Sequence, residues 1–260
     1  MKITVRPLWW MKVIMMLVIY HLSQFTATAQ IGEYRNELAV GINGGVSMSR
    51  IDFLPEVPQD FLTGPTIGIT MRYTGEKYFK SICAIVAEVN YTQMGWKERI
   101  WDLQDQPVIN PATNEAEAYT RKINYVQVPV FARLGWGRER QGLQAYFQVG
   151  PQLGFVLSES TEANYDLASP YTYRRTSVVI KQETMPIEKK FDYGIAAGLG
   201  VELSLRRLGH LLIDGRYYFG LGNIYGNSKR DYFAKSPFQG ITIKATYLFD
   251  IVKSKNDKIK

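Results

Sequence analysis

The sequence predicts an all-β protein, an eight-stranded antiparallel up-and-down transmembrane β-barrel. Three observations predict this fold. A short apolar leader at the N-terminus is typical of an exported chain. Eight later segments alternate apolar residues with small or polar ones, which is the period of a strand with two different faces. The connections between these segments are alternately long and short, as in an up-and-down barrel with both termini on one side.

The leader is residues 1–29. Lys2 and Arg6 give it a basic start, residues 13–20 form its apolar core, and Ala27-Thr28-Ala29 supplies the small residues that a signal peptidase needs. The uninterrupted apolar run is about ten residues long, whereas a membrane-anchor helix needs roughly twenty. We therefore expect a signal peptide cleaved after Ala29, followed by a short N-terminal segment at residues 30–37.

The predicted barrel is residues 38–250. Its clearest strand is residues 191–205, where every second residue from Phe191 to Leu205 is apolar and those between are small or polar. The same alternation occurs at residues 38–47, 143–157 and 241–249, and weaker versions at residues 67–73, 83–91, 126–134 and 211–221. A tilted transmembrane strand needs about nine to eleven residues, which suits segments of this kind.

The connections predict how the barrel is oriented. The long ones are approximately residues 49–64, 97–121, 158–190 and 222–237, and the short ones are about residues 75–80, 136–142 and 206–209. Outer-membrane barrels have tight periplasmic turns and longer extracellular loops. An even number of strands then places a basic tail, residues 251–260, in the periplasm with the N-terminus.

Alternation alone does not tell which face of the barrel points outward. A soluble lipocalin-like barrel would turn its apolar face inward around an apolar ligand, whereas a membrane barrel turns it outward. Aromatic residues at strand ends favour the membrane barrel, because such residues form interfacial girdles. The expected girdles are Tyr73, Tyr78, Phe79 and Trp136 on the periplasmic side, and Trp96, Phe191, Phe219 and Phe238 on the other.

Charges of both signs on the polar face also favour the membrane barrel. Such charges can pair inside a narrow lumen, and a barrel of about eight strands is just wide enough to be filled by its own side chains. We therefore expect a structural ion-pair network in the lumen and no general diffusion pore. The predicted network is Arg72, Glu88, Arg133, Glu202, Asp214, Arg216 and Lys244.

The sequence predicts no enzyme, no cofactor and no metal site. His21 belongs to the leader, and His210 follows a short turn on the periplasmic side, so a His-dependent site at the cell surface cannot form. No glycine-rich phosphate loop precedes a helix. Acidic clusters in the loops lack an EF-hand spacing and are expected to be solvated: Asp102 with Asp105, Glu115 with Glu117, and Glu159 with Glu162 and Asp166. Cys83 is the one cysteine and is expected to serve packing only.

The third long loop is the candidate contact surface. It mixes amphipathic rings with guanidinium groups, a composition typical of interfaces: Tyr165, Tyr171, Tyr173, Arg174 and Arg175. Nucleic-acid binding is not expected. The formal net charge is +7, of which the leader carries +3, and no basic stretch is interleaved with aromatic residues.

Three short motifs resemble a known family. Residues 124–130 read Asn-Tyr-Val-Gln-Val-Pro-Val, Gly150-Pro151 occurs in the next strand, and Thr246-Tyr247-Leu248-Phe249 lies in the last. They resemble the PorT-like outer-membrane β-barrel family over nearly all of the chain after the leader. The resemblance implies the barrel fold and an outer-membrane location. The namesake's part in protein secretion is not carried over, and the chain departs from many outer-membrane barrels because eleven residues follow Phe249.

We therefore expect a non-enzymatic barrel in the outer membrane of a Gram-negative bacterium, a structural, adhesion or accessory component of an envelope secretion or transport complex. Its expected partners are outer-membrane lipid and lipopolysaccharide, the barrel assembly machinery and other envelope proteins. Two alternatives stay open at this point. One is a soluble periplasmic barrel that binds an apolar ligand, and the other is an outer-membrane enzyme that works without histidine.

Overall fold

Eight antiparallel strands close into one barrel in a computed structural model, which describes residues 33–111, 113–138, 141–167, 175–177, 179–205, 208–226 and 231–253. The predicted leader and the tail beyond residue 253 lie outside these residues. The strands are β1 (Glu33–Ile51), β2 (Gln59–Tyr78), β3 (Ser81–Glu98), β4 (Tyr119–Gly137), β5 (Gly142–Ala163), β6 (Phe191–Leu205), β7 (Gly209–Gly220) and β8 (Phe238–Val252). A short helix, α1 (Lys181–Thr184), lies between β5 and β6.

Each strand pairs with its neighbours in sequence, and β1 pairs with β8 to complete the ring. The seam between β1 and β8 is antiparallel, with Val40 opposite Phe249 and Met48 opposite Ile241. This ring confirms the predicted fold class, strand number and up-and-down order. Among the described residues, no helix is long and apolar enough to cross a bilayer.

Most strands are longer than the alternation predicts, while β6 has the predicted bounds. β1 begins at Glu33 rather than at residue 38, and β8 ends at Val252 rather than at residue 250. β2 begins at Gln59, so the first long connection is shorter than predicted. The physical reason is that strand pairing continues past the apolar belt. Outward positions there carry exposed or half-buried polar side chains such as Arg50 and Lys122, so the apolar alternation ends before the hydrogen-bonded ladder does.

The apolar face of the barrel points outward. Mid-strand side chains such as Ile42, Leu199 and Ile243 are exposed, and Leu199 has 68% of its surface accessible. Their polar neighbours along the strand, among them Asn43, are buried inside. This arrangement excludes the lipocalin-like alternative, because that barrel would hold its apolar side chains within. A continuous outward apolar band is what a bilayer requires.

Most of the expected girdle residues face outward, but two do not. Tyr78, Phe79 and Trp136 are exposed at the short-turn end, and Phe191 and Phe219 at the long-loop end. The prediction was wrong for Trp96 and Phe238, which are fully buried and pack inward. They belong to a core that forms above the lumen, and the local pattern of aromatic residues does not distinguish a girdle from such a core.

Glycines that face the inside of the barrel leave room for tyrosine rings of neighbouring strands. A Cβ on Gly154 would collide with the hydroxyl of Tyr125, and a Cβ on Gly200 would collide with the ring of Tyr146. The Tyr125 hydroxyl then donates to Asp192 Oδ2 at 2.6 Å. The small residues between the outward apolar positions therefore make room for inward rings that fill the lumen.

The four long connections pack together into one structure, the loop cap, formed by residues 52–58, 99–118, 164–190 and 221–237 as far as they are described. Backbone hydrogen bonds join the loops in pairs. Leu54 N donates to Lys235 O at 2.9 Å, Thr176 N to Trp101 O at 2.8 Å, and Glu188 N to Ile224 O at 3.1 Å. The cap therefore covers the long-loop end of the barrel as an ordered layer.

Candidate functional site

The lumen holds all seven charged residues that the sequence places on the polar face. Each is buried, and the structure joins them by ion pairs into two clusters, a central one and one at the short-turn end. Alternate residues of a strand point to opposite faces. In each strand these charged residues lie an even number of positions from other buried residues, so their side chains point into the lumen.

The central cluster is organised around Glu88 of β3. Both of its carboxylate oxygens accept from the Arg216 guanidinium, at 2.7 and 2.9 Å, and Oε2 also accepts from Lys244 Nζ at 2.6 Å. Arg216 makes a second ion pair with Asp214, two residues away on the same face of β7. These contacts link β3, β7 and β8 across the lumen, and the two-point geometry of the Arg216–Glu88 pair is the strongest kind of ionic hydrogen bond.

The second cluster lies at the short-turn end and is organised around Glu202 of β6. Arg72 Nη1 lies 2.7 Å from Glu202 Oε1, and Arg133 contacts the other carboxylate oxygen. His210 Nδ1 is 2.6 Å from Glu202, and its Nε2 is 2.9 Å from Asp250 Oδ1 near the end of β8. Side chains from β2, β4 and β7 therefore meet at the Glu202 carboxylate of β6, and His210 extends the cluster to Asp250 of β8.

Tyr146 of β5 connects the two clusters. The Arg133 guanidinium lies 3.7 Å from the centre of its ring, and its hydroxyl donates to Asp214 Oδ2 at 3.2 Å. His210 and Asp250 are members of the network that sequence reasoning missed. The position of His210 was available in the pattern, because His210 has the same parity as Asp214 and Arg216 on β7 and so faces inward with them.

Little open space remains within this part of the lumen. A cavity of about 20 Å³ lies beside the short-turn cluster, among Glu37, Arg72, Arg133, Glu202 and His210. About 10–15 Å³ is the smallest volume that holds one water molecule. This part of the lumen is therefore filled by its own side chains, as the strand number predicts.

Above the lumen, the loop cap has a core of aromatic and aliphatic side chains. Phe53 lies 5.3 Å from Trp96 and 4.8 Å from Phe233, measured between ring centres. Tyr225 stacks beside Phe233 at 5.5 Å. Burial raises the pKa of the Tyr225 hydroxyl above its ordinary value, so this ring stays neutral. The core continues down to Phe238 and to other inward rings, and it closes the long-loop end of the barrel.

Arg175 ties the third loop to the second from inside the cap. Its guanidinium pairs with Glu117 at 2.9 Å and with Glu183 at 2.6 Å, and lies 4.8 Å from the centre of the Tyr165 ring. Burial alone would lower the pKa of Arg175, but Glu183 and Tyr165 outweigh it and raise that pKa. Arg175 therefore remains a cation between two buried carboxylates.

These contacts correct two expectations about the loops. Arg175 is only 7% exposed and Tyr165 is half-buried, so neither forms an open contact surface as expected. Glu117 is buried as well, not solvated, because it is a partner of Arg175. The other members of the expected surface, Tyr171, Tyr173 and Arg174, lie outside the described residues. The sequence of a loop does not indicate that one of its arginines will pair with two carboxylates from distant segments.

The outer surface of the loop cap instead exposes apolar side chains that the sequence analysis did not single out. Trp101 is 39% exposed and Leu103 is 79% exposed, both on the second loop. Among the described residues of the cap, the full set is Leu54, Trp101, Leu103, Ile109, Leu221 and Tyr232. Isolated exposed apolar residues are ordinary, but these six lie on the loops of an ordered cap at the long-loop end of the barrel.

Neither a metal-holding group nor a histidine lies at the cap among the described residues. No group of three or more His, Cys, Asp or Glu side chains among them is placed to hold a metal ion. His210, the histidine within the described residues, lies in the lumen at the opposite end.

A family model agrees with this architecture. The model described as the outer membrane protein beta-barrel domain matches residues 23–226, which is most of the chain and ends before β8. The chain belongs to this family. Its outward apolar band therefore lies in an outer membrane, with the short turns on the periplasmic side and the loop cap on the outer side.

Solved outer-membrane barrels are similar to the chain at low identity. OprG of Pseudomonas aeruginosa shares 11% identity at a TM-score of 0.45, with coverage of 83% of this chain and 97% of that one. Neisserial surface protein A shares 11% identity at a TM-score of 0.36, with coverage of 82% of this chain and 97% of that one. Ail of Yersinia pestis, in complex with the heparin analogue sucrose octasulfate, shares 14% identity at a TM-score of 0.33, with coverage of 82% of this chain and 99% of that one. At these TM-scores the structural similarity does not contribute to the family assignment. A comparison with curated proteins found no match.

Proposed function

We propose that this outer-membrane barrel is a non-enzymatic protein that presents its loop cap to a partner at the cell surface. Its role is structural, adhesive or accessory to an envelope secretion or transport complex. The observation that carries this proposal is the ordered cap. A barrel built for passage would leave its outer end open, whereas here an aromatic core fills that end and apolar side chains are exposed above it.

Other features support how the chain reaches and occupies this place. The leader at residues 1–29 directs export and is removed. The barrel assembly machinery inserts the barrel, and outer-membrane lipid and lipopolysaccharide surround its apolar band. The motifs at residues 124–130 and 246–249 support a position close to the PorT-like members of the family. No nucleic acid is a partner.

The decisive experiment compares cross-linking to envelope proteins in intact cells. A variant that carries both Trp101→Ala and Leu103→Ala removes two exposed apolar side chains of the second loop. The matched control is Glu115→Ala, because Glu115 is an exposed polar residue of the same loop. We expect a defined envelope protein to cross-link to the native barrel and to the control, but not to the double variant. If the double variant retains every cross-link, the cap is not the contact surface.

A further inference from the structure

The membrane-facing wall of the barrel has a groove along β3 at its short-turn end. The outward side chains of β3 in this part are Ser81, Cys83, Ile85 and Ala87, and all but Ile85 are smaller than the residues paired with them on both sides. Larger outward side chains of β2 and β4 rise on either side, with Tyr73 opposite Ile85 and Leu134 opposite Cys83. The difference in side-chain size produces a depression that follows the strand.

Two features deepen the groove. The pairing of β2 with β3 shifts register between Thr74 and Glu76, so Gly75 is left out of the ladder and contributes no side chain. Ala132 of β4 faces Ile85 with only a methyl group. The groove has a volume of about 550 Å³, and its lining includes Tyr73, Gly75, Cys83, Ile85, Ala132 and Leu134 together with Glu76, whose carboxylate accepts from the Tyr78 hydroxyl.

The periplasmic end of the groove has the chemistry of a headgroup region. Trp136 Nε1 donates to Ser81 Oγ at 2.9 Å, and exposed Tyr78 lies on the other side of Ser81. Beyond these rings the exposed cations Lys80 and Arg138 lie in the turns after β2 and β4. Aromatic residues sit at the membrane interface, and cations beside it attract anionic lipid groups.

We propose that the groove binds one glycerophospholipid of the periplasmic leaflet. An acyl chain lies along β3 over Cys83 and Ala132, and its phosphate lies near Lys80 and Arg138. Apolar burial alone does not favour one lipid contact over another within a bilayer, so close packing against the groove and the charge at its end provide the preference. This inference is independent of the loop cap, which lies at the other end of the barrel.

The test measures retained lipid by native mass spectrometry of the detergent-purified full barrel with added phosphatidylglycerol. Ala132→Leu fills the groove, and Lys80→Gln removes a cation from its end. The matched control is Ala197→Leu, because Ala197 of β6 is also a small outward residue in the apolar band. A heat-modifiable shift on a gel confirms that each variant is folded.

We expect one lipid on the native barrel and on Ala197→Leu, and loss of that lipid from Ala132→Leu. Since one cation near a membrane surface contributes about a fivefold change in affinity, Lys80→Gln should weaken retention by about that factor. Equal retention by Ala132→Leu and Ala197→Leu would overturn the proposal. So would a Cys83–Cys83 cross-link on oxidation of native membranes, because it would show that a second copy occupies the groove. Cys83 is the one cysteine of the chain, which makes that result unambiguous.

Discussion

Arg216 is the residue on which the central lumen cluster depends. It neutralises Glu88 through two hydrogen bonds, pairs with Asp214, and packs 4.8 Å from the centre of the Phe131 ring. Lys244 is the other cation that contacts Glu88. Because these groups are removed from water, the charge of one depends on the presence of the others.

Replacing Arg216 with Met should therefore destabilise the barrel by about 3–5 kcal/mol, the usual cost of leaving a buried charge without its partner. The measurement is the urea midpoint of unfolding in phospholipid vesicles. Arg99→Met is the matched control, since Arg99 pairs with Asp60 at the surface and exposed pairs contribute about 0–1 kcal/mol. Equal midpoints for the two variants would mean that the lumen network does not stabilise the fold.

At the scale of elements, the third loop is held by the contacts of a few buried side chains. Gln182 Nε2 donates to Glu98 Oε1 at 3.1 Å, Tyr119 donates to the carbonyl of Glu183 at 3.1 Å, and Arg175 pairs with Glu183. These contacts join α1 to the ends of β3 and β4 and to Arg175, which also pairs with Glu117 of the second loop. The described part of the loop therefore has a defined position, with one helical turn as its regular structure.

Replacing Arg175 with Ala should release this loop while the barrel stays folded. Removal of one partner from a buried pair costs about 3 kcal/mol or more, so local opening should become roughly a hundredfold more frequent. Chymotrypsin added to intact cells should then cut the variant faster than the native protein, and a gel shift should show an intact barrel. Lys122→Gln, which removes an exposed pair with Glu162, should leave the cutting rate unchanged. Unchanged cutting of the Arg175 variant would show that other contacts hold the loop.

At the scale of the whole molecule, the barrel reverses the usual distribution of polar and apolar side chains. Its interior holds charges and its exterior holds Leu, Ile and Val. The solvent for that exterior is hydrocarbon, so exposure of an apolar side chain there stabilises the protein in place. The consequence is that the effect of a surface substitution depends on its height along the barrel.

Two exposed leucines test this dependence. Leu199→Arg, in the middle of β6, should cost about 2–4 kcal/mol, the depth-dependent cost of a cation on the lipid face. Leu103→Arg, on the loop cap, should change stability by less than about 0.5 kcal/mol. Both side chains are largely accessible, at 68% and 79%. Unfolding in vesicles measures both, and a similar effect at the two positions would contradict the assigned position of the membrane.

The strands and their order follow from local pattern, because a two-residue period and the lengths of the connections are properties of neighbouring residues. The seven lumen charges could be placed on one face for the same reason. Their partners could not be assigned, since Glu88 contacts residues more than a hundred positions away on β7 and β8. Such pairs exist only once β1 meets β8 and the ring is closed.

The sequence did not predict the loop cap, for a related reason. Its buried members, among them Phe53, Glu117 and Arg175, come from three separate loops and have no periodicity to mark them. Alternation along each strand is sufficient to specify a barrel and its polar interior. Only the packing of the closed barrel and its loops decides which charges pair and which aromatic rings turn inward. The same packing fills the outer end of the barrel.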